Sequence, residues 1–340
     1  MKEKFLSLIF CPKCKTTGFE IVYGSKAGEY GEIREGRISC NKCKNKYGIT
    51  NGIVNMFFNP DPAVIKQQQV IHSADMTTQE GAGFGVSSEN ILKYRKQLLS
   101  LPEGDGSELF KTGSFRNVSN LAENYYDFFN KLNITGKERV LELGADSCWS
   151  TNKFAQKGCD CTAVDISGHL LSSDIYFEEY NTYFERAVMD MDALSFKENT
   201  FDLVFCSQVL HHSRDLKKLF REIFRILKPG GRLAMLSEPV LGFLFSWRKE
   251  FYGTAARKLG VNERAYTFRE WTKFLKSAGF TFKADFTIHH RYNRIKKYLS
   301  FFENEPVKKL LTGSYSYPLL IMEPYMVNII ASVGEKPNHV

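Results

Sequence analysis

No run of about 18 apolar residues occurs in the 340-residue chain, so no membrane-spanning helix is expected. The N-terminus also lacks the apolar centre of a secretory leader: Met1-Lys2-Glu3-Lys4 opens only a short apolar stretch, which Cys11-Pro12 breaks. There is no internal repeat and no low-complexity tract. A cytoplasmic location follows as the expectation. There the eight cysteines stay reduced, and metal binding gains weight over disulfides. With 43% hydrophobic and 25% charged residues, the chain has the composition of a globular protein able to bury a large core. Its length suits one large domain and one small one.

Charge is unevenly spread. Residues 1–58 hold ten Lys/Arg against five Asp/Glu, and residues 248–298 hold thirteen against four, while the rest is acidic. Such asymmetry fits an anionic partner, or simply a solvated cationic face.

Residues 1–58 consist of short apolar runs between Cys, Gly and Lys clusters and predict small β-ribbons. Asn59-Pro60-Asp61-Pro62 punctuates the chain. Residues 59–118 are expected to be a linker and helical lid region, with Gly81-Ala-Gly-Phe-Gly85 as its most pliable stretch. From Ser119 the pattern alternates. A helix over 119–132 precedes short apolar strands at Arg139–Gly144, Cys161–Asp165, Ala187–Met189, Phe201–Cys206 and Arg232–Leu236. A helix over Leu216–Leu227 stops at Pro229-Gly230-Gly231, and a last strand is expected near 326–333. Alternation of this kind predicts an α/β fold with a doubly wound, mostly parallel seven-stranded sheet over 119–340. Cap insertions are expected at about 239–266 and 287–323.

Cys11-Pro-Lys-Cys14 and Cys40-Asn-Lys-Cys43 are two Cys-x-x-Cys knuckles 25 residues apart. Each tight turn aims two sulfurs at one point, so Cys11, Cys14, Cys40 and Cys43 suit one tetrahedral Zn2+. A redox pair or two unrelated thiol pairs are the other readings. A closed four-sulfur site leaves no position for chemistry, so the ion would be structural. Together with Tyr47-Gly-Ile-Thr-Asn-Gly-Ile53, the knuckles resemble the Trm112-like zinc ribbon family. By that resemblance the ribbon is a structural or partner-binding module, often found beside a methyltransferase. Cys148, Cys159, Cys161 and Cys206 lie in or beside strands and are expected as small buried hydrophobes.

The turn after the first parallel strand reads Gly144-Ala-Asp146-Ser-Cys148, with one glycine where a dinucleotide fold places several. A carboxylate at Asp146 would repel a pyrophosphate and favour a cationic ligand. Asp165, 21 residues beyond Gly144, is placed to accept hydrogen bonds from ribose hydroxyls, or else to cap the helix after Ser167-Gly168.

Taken in order, these segments resemble the class I (Rossmann-like) S-adenosylmethionine-dependent methyltransferases. Val140-Leu-Glu-Leu-Gly144 is similar to the family's first motif and Ala163-Val-Asp165-Ile166 to its second. Met189–Phe196 resembles the Asp-x-x-x-Leu-Pro-Phe stretch, with Ser195 in place of proline. Phe201-Asp-Leu-Val204, Val209-Leu-His-His212, Leu227–Gly231, Tyr266–Trp271 and Ala278-Gly-Phe280 resemble its later signatures. The resemblance implies S-adenosylmethionine as cofactor. It places Glu142 and Gly144 along the methionine, Asp165 at the ribose with Ile166 beside it, Asp190 at the adenine amino group with Met191 against the ring, and Ser207 near the methionine end. The departure is Ala145–Cys148, where the family carries more glycine.

Methyl transfer from a sulfonium needs alignment and exclusion of water, and a base only when the acceptor must lose a proton. His211 and His212, past the fourth strand, are the candidate catalytic bases, or packing histidines. Glu238 is a second rim candidate, and His289 and His290 are a third pair. Phe243, Phe245, Trp247, Phe251 and Tyr252 in one cap, and Arg291, Tyr292, Arg294, Lys296, Lys297 and Tyr298 in the other, mix aromatics with cations. Such a mixture suits an anionic small-molecule, lipid- or sugar-linked or natural-product-type acceptor, or RNA. It is also what a packed cap shows. The leading expectation is a small-molecule methyltransferase. The alternatives are an rRNA or tRNA base methyltransferase, and a non-catalytic protein docking through its ribbon.

Overall fold

A computed structural model describes residues 1–26, 28–73, 88–103, 119–241, 247, 257–258, 260–285, 327–328 and 331–338. The glycine stretch 81–85, most of both expected caps, and His289, His290 and the basic residues 291–297 lie outside the described residues.

The N-terminal part forms an antiparallel meander of β1 (Phe19–Lys26), β2 (Ile33–Cys40), β3 (Lys46–Thr50) and β4 (Ile53–Asn55). Helices α1 (Pro62–Ser73), α2 (Ser88–Lys93), α3 (Arg95–Leu99) and α4 (Ser119–Lys131) follow. The alternating part then runs β5 (Arg139–Leu143), α5 (Trp149–Gln156), β6 (Asp160–Asp165), α6 (Ser173–Tyr180), β7 (Glu185–Val188), β8 (Phe201–Ser207), α7 (Leu216–Ile226) and β9 (Leu227–Leu236). It continues through β10 (Pro239–Leu241), β11 (Tyr266–Thr267), α8 (Phe268–Ala278), β12 (Thr281–Asp285), β13 (Val327–Asn328) and β14 (Ala331–Glu335).

Seven strands line up as β7-β6-β5-β8-β9-β14-β12; the sequence pattern places six of them but not β12, and the last strand runs Ala331–Glu335 where 326–333 is expected. β5 pairs in parallel with both β6 and β8, whereas β14 runs antiparallel to β9 and β12. Both faces of β5 and β8 are covered, which is why these strands read as unbroken apolar runs. Strand order reverses between β5 and β8, and a crevice opens outside their carboxyl ends, where ligands of doubly wound sheets bind.

The sheet is larger than expected. β4 pairs in parallel with β7, Val54 opposite Ala187 and Asn55 opposite Val188, so the four N-terminal strands extend seven to eleven. An uncovered β7 would be an open edge, and β4 closes it. The two parts also share a core: Phe5, Ile38 and Val54 pack with Leu141, Phe196 and Leu219, and the rings of Phe5 and Phe196 meet edge to face at 6.2 Å. Buried Arg186 of β7 donates to Asp174 (2.7 Å) and to the Asn51 carbonyl (2.9 Å), and Arg34 of β2 reaches the same Asp174 at 2.7 Å.

β9 begins five residues earlier than expected. Leu227 already pairs with Phe201, and Arg232 with Leu203, so Lys228–Gly231 form a bulge inside the strand instead of a stop before it. α8 starts with a capping box in which the Thr267 hydroxyl accepts from the Glu270 N–H and Glu270 accepts from the Thr267 N–H (2.8 Å). Cys148, Cys159, Cys161 and Cys206 are all buried.

Candidate functional site

The carboxyl ends of β5, β6, β7 and β8 gather every residue expected to hold the cofactor. The loop after β5 is tight. Gly144 has φ +68°, and a Cβ there would come within 2.2 Å of Val209, so glycine is required. The Gly144 and Ala145 N–H groups both donate to the Val164 carbonyl (2.8 and 3.1 Å), and the Cys148 N–H donates to the Ala145 carbonyl (2.6 Å). The Asp146 N–H donates to Asp165 (3.0 Å), and the Ser147 N–H to Asp146. These amides are spent within the protein, so this loop has no cradle of N–H groups for a pyrophosphate.

Glu142, one residue before the end of β5, is enclosed. Burial pushes its carboxyl up to about 7, even though the Ser150 and Thr151 hydroxyls donate to it. Asp165 ends β6 and accepts one backbone N–H on each oxygen, from Asp146 (3.0 Å) and Ser167 (2.8 Å). Each oxygen keeps a lone pair for a further donor. Its carboxyl is raised by burial and by neighbouring Asp146. Asp146 itself meets the ring of His169, a buried residue that sequence pattern did not single out. The Asp146 side chain is exposed, and His169 beside it holds its carboxyl below the usual range. One oxygen of the carboxylate meets His169, and the group still faces solvent. Ile166 is half-buried, and its carbonyl accepts from the side-chain amide of Gln68 on α1 (2.7 Å). No sequence signal marked Gln68.

Asp190 and Met191 follow β7. Asp190 accepts from the Asp192 N–H (3.0 Å) and from the Arg214 guanidinium (2.5 Å), and Asp192 accepts from the Arg214 N–H (2.8 Å). Behind this turn lies a cavity of about 380 Å³ walled by Met56, Phe58, Asp61, Asp190, Arg214 and Lys218. Of the residues expected to hold the cofactor, Asp190 lines it and Gly144 and Asp165 do not.

Ser207 ends β8, and a short turn, Leu210–His212, follows. Glu238, just beyond β9, is completely buried under this turn. It accepts from the N–H groups of Val209 and Leu210 (both 2.9 Å), and it lies 2.8 Å from His211 Nδ1. The expected rim glutamate is thus an internal anchor. His211 Nε2 lies 3.5 Å from Glu263 Oε1; His212 Nδ1 lies 3.0 Å from Glu263 Oε2 and 2.7 Å from the Asn262 carbonyl. Burial works against charge on His211, but Glu238 and Glu263 hold its pKa up at about 9. In this state His211 is an imidazolium at neutral pH. Glu263 is 50 or more residues away in sequence, and no spacing announced it.

In the N-terminal part the four knuckle cysteines converge. Sγ of Cys11 lies 3.6 Å from that of Cys43, and Sγ of Cys14 lies 3.5 Å from that of Cys40. Four sulfurs at about 2.3 Å from a tetrahedral zinc would stand about 3.8 Å apart, close to these separations. The Tyr47 hydroxyl lies 3.1 Å from Cys11 and that of Thr16 lies 3.0 Å from Cys14, as supports outside the sulfur set.

Residues 141–235 match the family described as methyltransferase domain. Demethylmenaquinone methyltransferase of Corynebacterium glutamicum is 32% identical over 144 residues, which cover 41% of this chain and 60% of that one. The methyltransferase YcgJ of Bacillus subtilis is 27% identical over 114 residues, 31% of this chain and 44% of that one. The chain thus spans three fifths or less of the length of these curated relatives. A Haemonchus contortus phosphoethanolamine N-methyltransferase 2, solved with S-adenosyl-L-methionine, aligns over 74% of this chain and 61% of its own with 19% identity and a TM-score of 0.47. The family match falls on β5 to β9 and the turns between them, so the central part of this chain is similar to a methyltransferase domain.

Proposed function

We propose that this protein transfers the methyl group of S-adenosylmethionine to a small-molecule acceptor at the rim formed by the turn after β8. The observation that carries the reading is the loop after β5, whose amides are all spent, set beside Glu142 and Asp165. It is a poor host for phosphates and a good one for an ammonium and a ribose. When bound, the cofactor supplies an activated methyl on sulfur.

The chain's own residues then have limited tasks. Glu142 offers a buried carboxylate to the methionine ammonium, and Gly144 allows close approach. Asp165 accepts from the ribose hydroxyls, and Ile166 flanks it. Asp190, held by Arg214, accepts from the adenine amino group, with Met191 at the ring and Ser207 at the methionine end. Asp146 acts through His169 and Asp165 to hold the loop. His211 and His212 are the candidates for handling an acceptor's proton, His211 only in the form that has released the proton Glu238 and Glu263 hold on it.

A small acceptor is favoured because the similar proteins include a demethylmenaquinone methyltransferase. The cysteine geometry suits a structural Zn2+ that locks the β1–β4 meander against β7. Holding four reduced thiolates fits the cytoplasm. Among the described residues no helix is long and apolar enough to cross a membrane.

Calorimetry tests the donor. Wild type is expected to bind S-adenosylmethionine, and Asp165→Ala at least 100-fold more weakly; no binding by the wild type would sink the proposal. A labelled-methyl assay against metabolite and RNA fractions tests the acceptor, with label expected in small molecules and label confined to RNA overturning that choice.

A further inference from the structure

Two carboxylates and two imidazoles crowd the rim of the crevice, and orientation of a donor does not require so many. One ring nitrogen each from His211 and His212 and one oxygen of Glu263 lie within 4.8 Å of one another. The His211 Nδ1 is held at 2.8 Å by Glu238, a completely buried carboxylate that is itself fixed by two backbone N–H groups at 2.9 Å. That contact turns the other ring nitrogen, Nε2, toward Glu263 at 3.5 Å. A carboxylate behind an imidazole that faces two further ligands is the arrangement by which proteins orient a metal-binding histidine. The ring centroids lie 4.1 Å apart, and His212 Nδ1, which also meets the Asn262 carbonyl at 2.7 Å, is 3.0 Å from Glu263. Glu263 is half-buried and Glu238 fully so, and their oxygens stand on opposite sides of the His211 ring.

We propose that His211, His212 and Glu263 form a binding site for one divalent transition-metal ion, separate from the four-cysteine site, with Glu238 as the positioning residue behind His211. Nitrogen and carboxylate ligands select a borderline ion such as zinc, cobalt or nickel over calcium or magnesium. Three protein ligands leave a tetrahedral ion one open position. An acceptor hydroxyl placed there would give its proton to solvent water more readily, because the ion would stabilise the oxyanion, and no histidine base would be needed. This last use rests on the methyl-transfer reading; ion binding does not.

The test uses the full chain stripped of metal and titrated with Co2+. The first equivalent is expected to give thiolate-to-cobalt charge-transfer absorption from the cysteine site. The second is expected to give d–d bands without it, and elemental analysis should find two ions per chain. Glu263→Gln should weaken the second ion at least 100-fold, and Glu238→Gln about 10- to 100-fold, with the first ion unchanged. His212→Gln, altering a partly exposed side chain, repeats the test if either glutamate variant unfolds. One ion per wild-type chain, carried wholly by the thiolate spectrum, overturns the proposal. Calorimetry with S-adenosylmethionine on the same samples separates the two ideas. Cofactor binding without a second ion sinks only the metal site, and a second ion without cofactor binding sinks only the methyl-transfer reading.

Discussion

Glu142 and Glu238 stand at one rim of the sheet, equally enclosed and in opposite electrostatic states. Glu142 receives two neutral hydroxyls; burial prevails, and its carboxyl is pushed up to about 7. Glu238 receives backbone N–H groups and the ring of His211; burial is overcome, and its carboxyl lies below the usual range. Depth does not separate the two. What each carboxylate faces does. Glu238 belongs to a completed ion pair. Glu142 is a buried acid still short of a cation, as expected of a group that waits for an ammonium-bearing ligand.

Breaking the completed pair should have the largest effect. Glu238→Ala leaves a buried imidazolium and several N–H groups without their partner, and should lower the unfolding free energy by about 3–5 kcal/mol. Glu142→Gln should leave stability unchanged or slightly raised, since it removes a charge that burial already disfavours. Urea denaturation of both variants checks the contrast; equal losses would show that the two glutamates are alike after all.

The cofactor-free protein should reveal the same contrast through pH. The folded-state pKa of Glu142, about 7, lies above its ordinary value of 4.5, so folding favours the protonated form. Its stabilising effect is therefore fully present below about pH 4.5 and is lost as pH rises through about 7. The full swing is about 3 kcal/mol. Melts across this window should show the decline in wild type and its absence in Glu142→Gln.

A cationic ligand reverses the preference. If Glu142 must ionise to pair with the methionine ammonium, affinity for S-adenosylmethionine should rise up to about tenfold per pH unit below pH 7 and level off above it. Calorimetry from pH 5.5 to 8.5 gives the slope. A flat profile in wild type would remove Glu142 from the methionine end.

The legible parts of this molecule are those set by local backbone chemistry. The two knuckles and the Asp165 strand end each lie within a few residues and read directly. The illegible parts are contacts across long separations. β4 has three residues and no periodicity of its own, and only docking on β7 makes it a sheet strand. Glu263 meets His212 across a helix, a strand and part of a cap, and no local spacing announces the contact. Pro229-Gly230-Gly231 reads as a stop because its local propensity is that of a turn, yet the pairing of Leu227 and Arg232 with β8 absorbs it as a bulge. The contact of Asp146 with buried His169 is likewise invisible in the sequence, because 23 residues separate the two.

Gln68 gives the finest test of what the Glu142 end requires. It lies on α1, outside every motif, and donates to the carbonyl of Ile166, the residue after Asp165. One neutral hydrogen bond is worth about 0.5–1.5 kcal/mol. If α1 helps to fix the ribose end, Gln68→Ala should weaken S-adenosylmethionine binding by about two- to tenfold, with the Glu142-dependent pH slope and the metal content intact. If α1 only packs on the sheet, the variant should melt earlier and bind the cofactor as wild type does. An affinity loss that disappears when Glu142 is also replaced would mean that Gln68 acts through the methionine end, and Asp165 would no longer be its route to the cofactor.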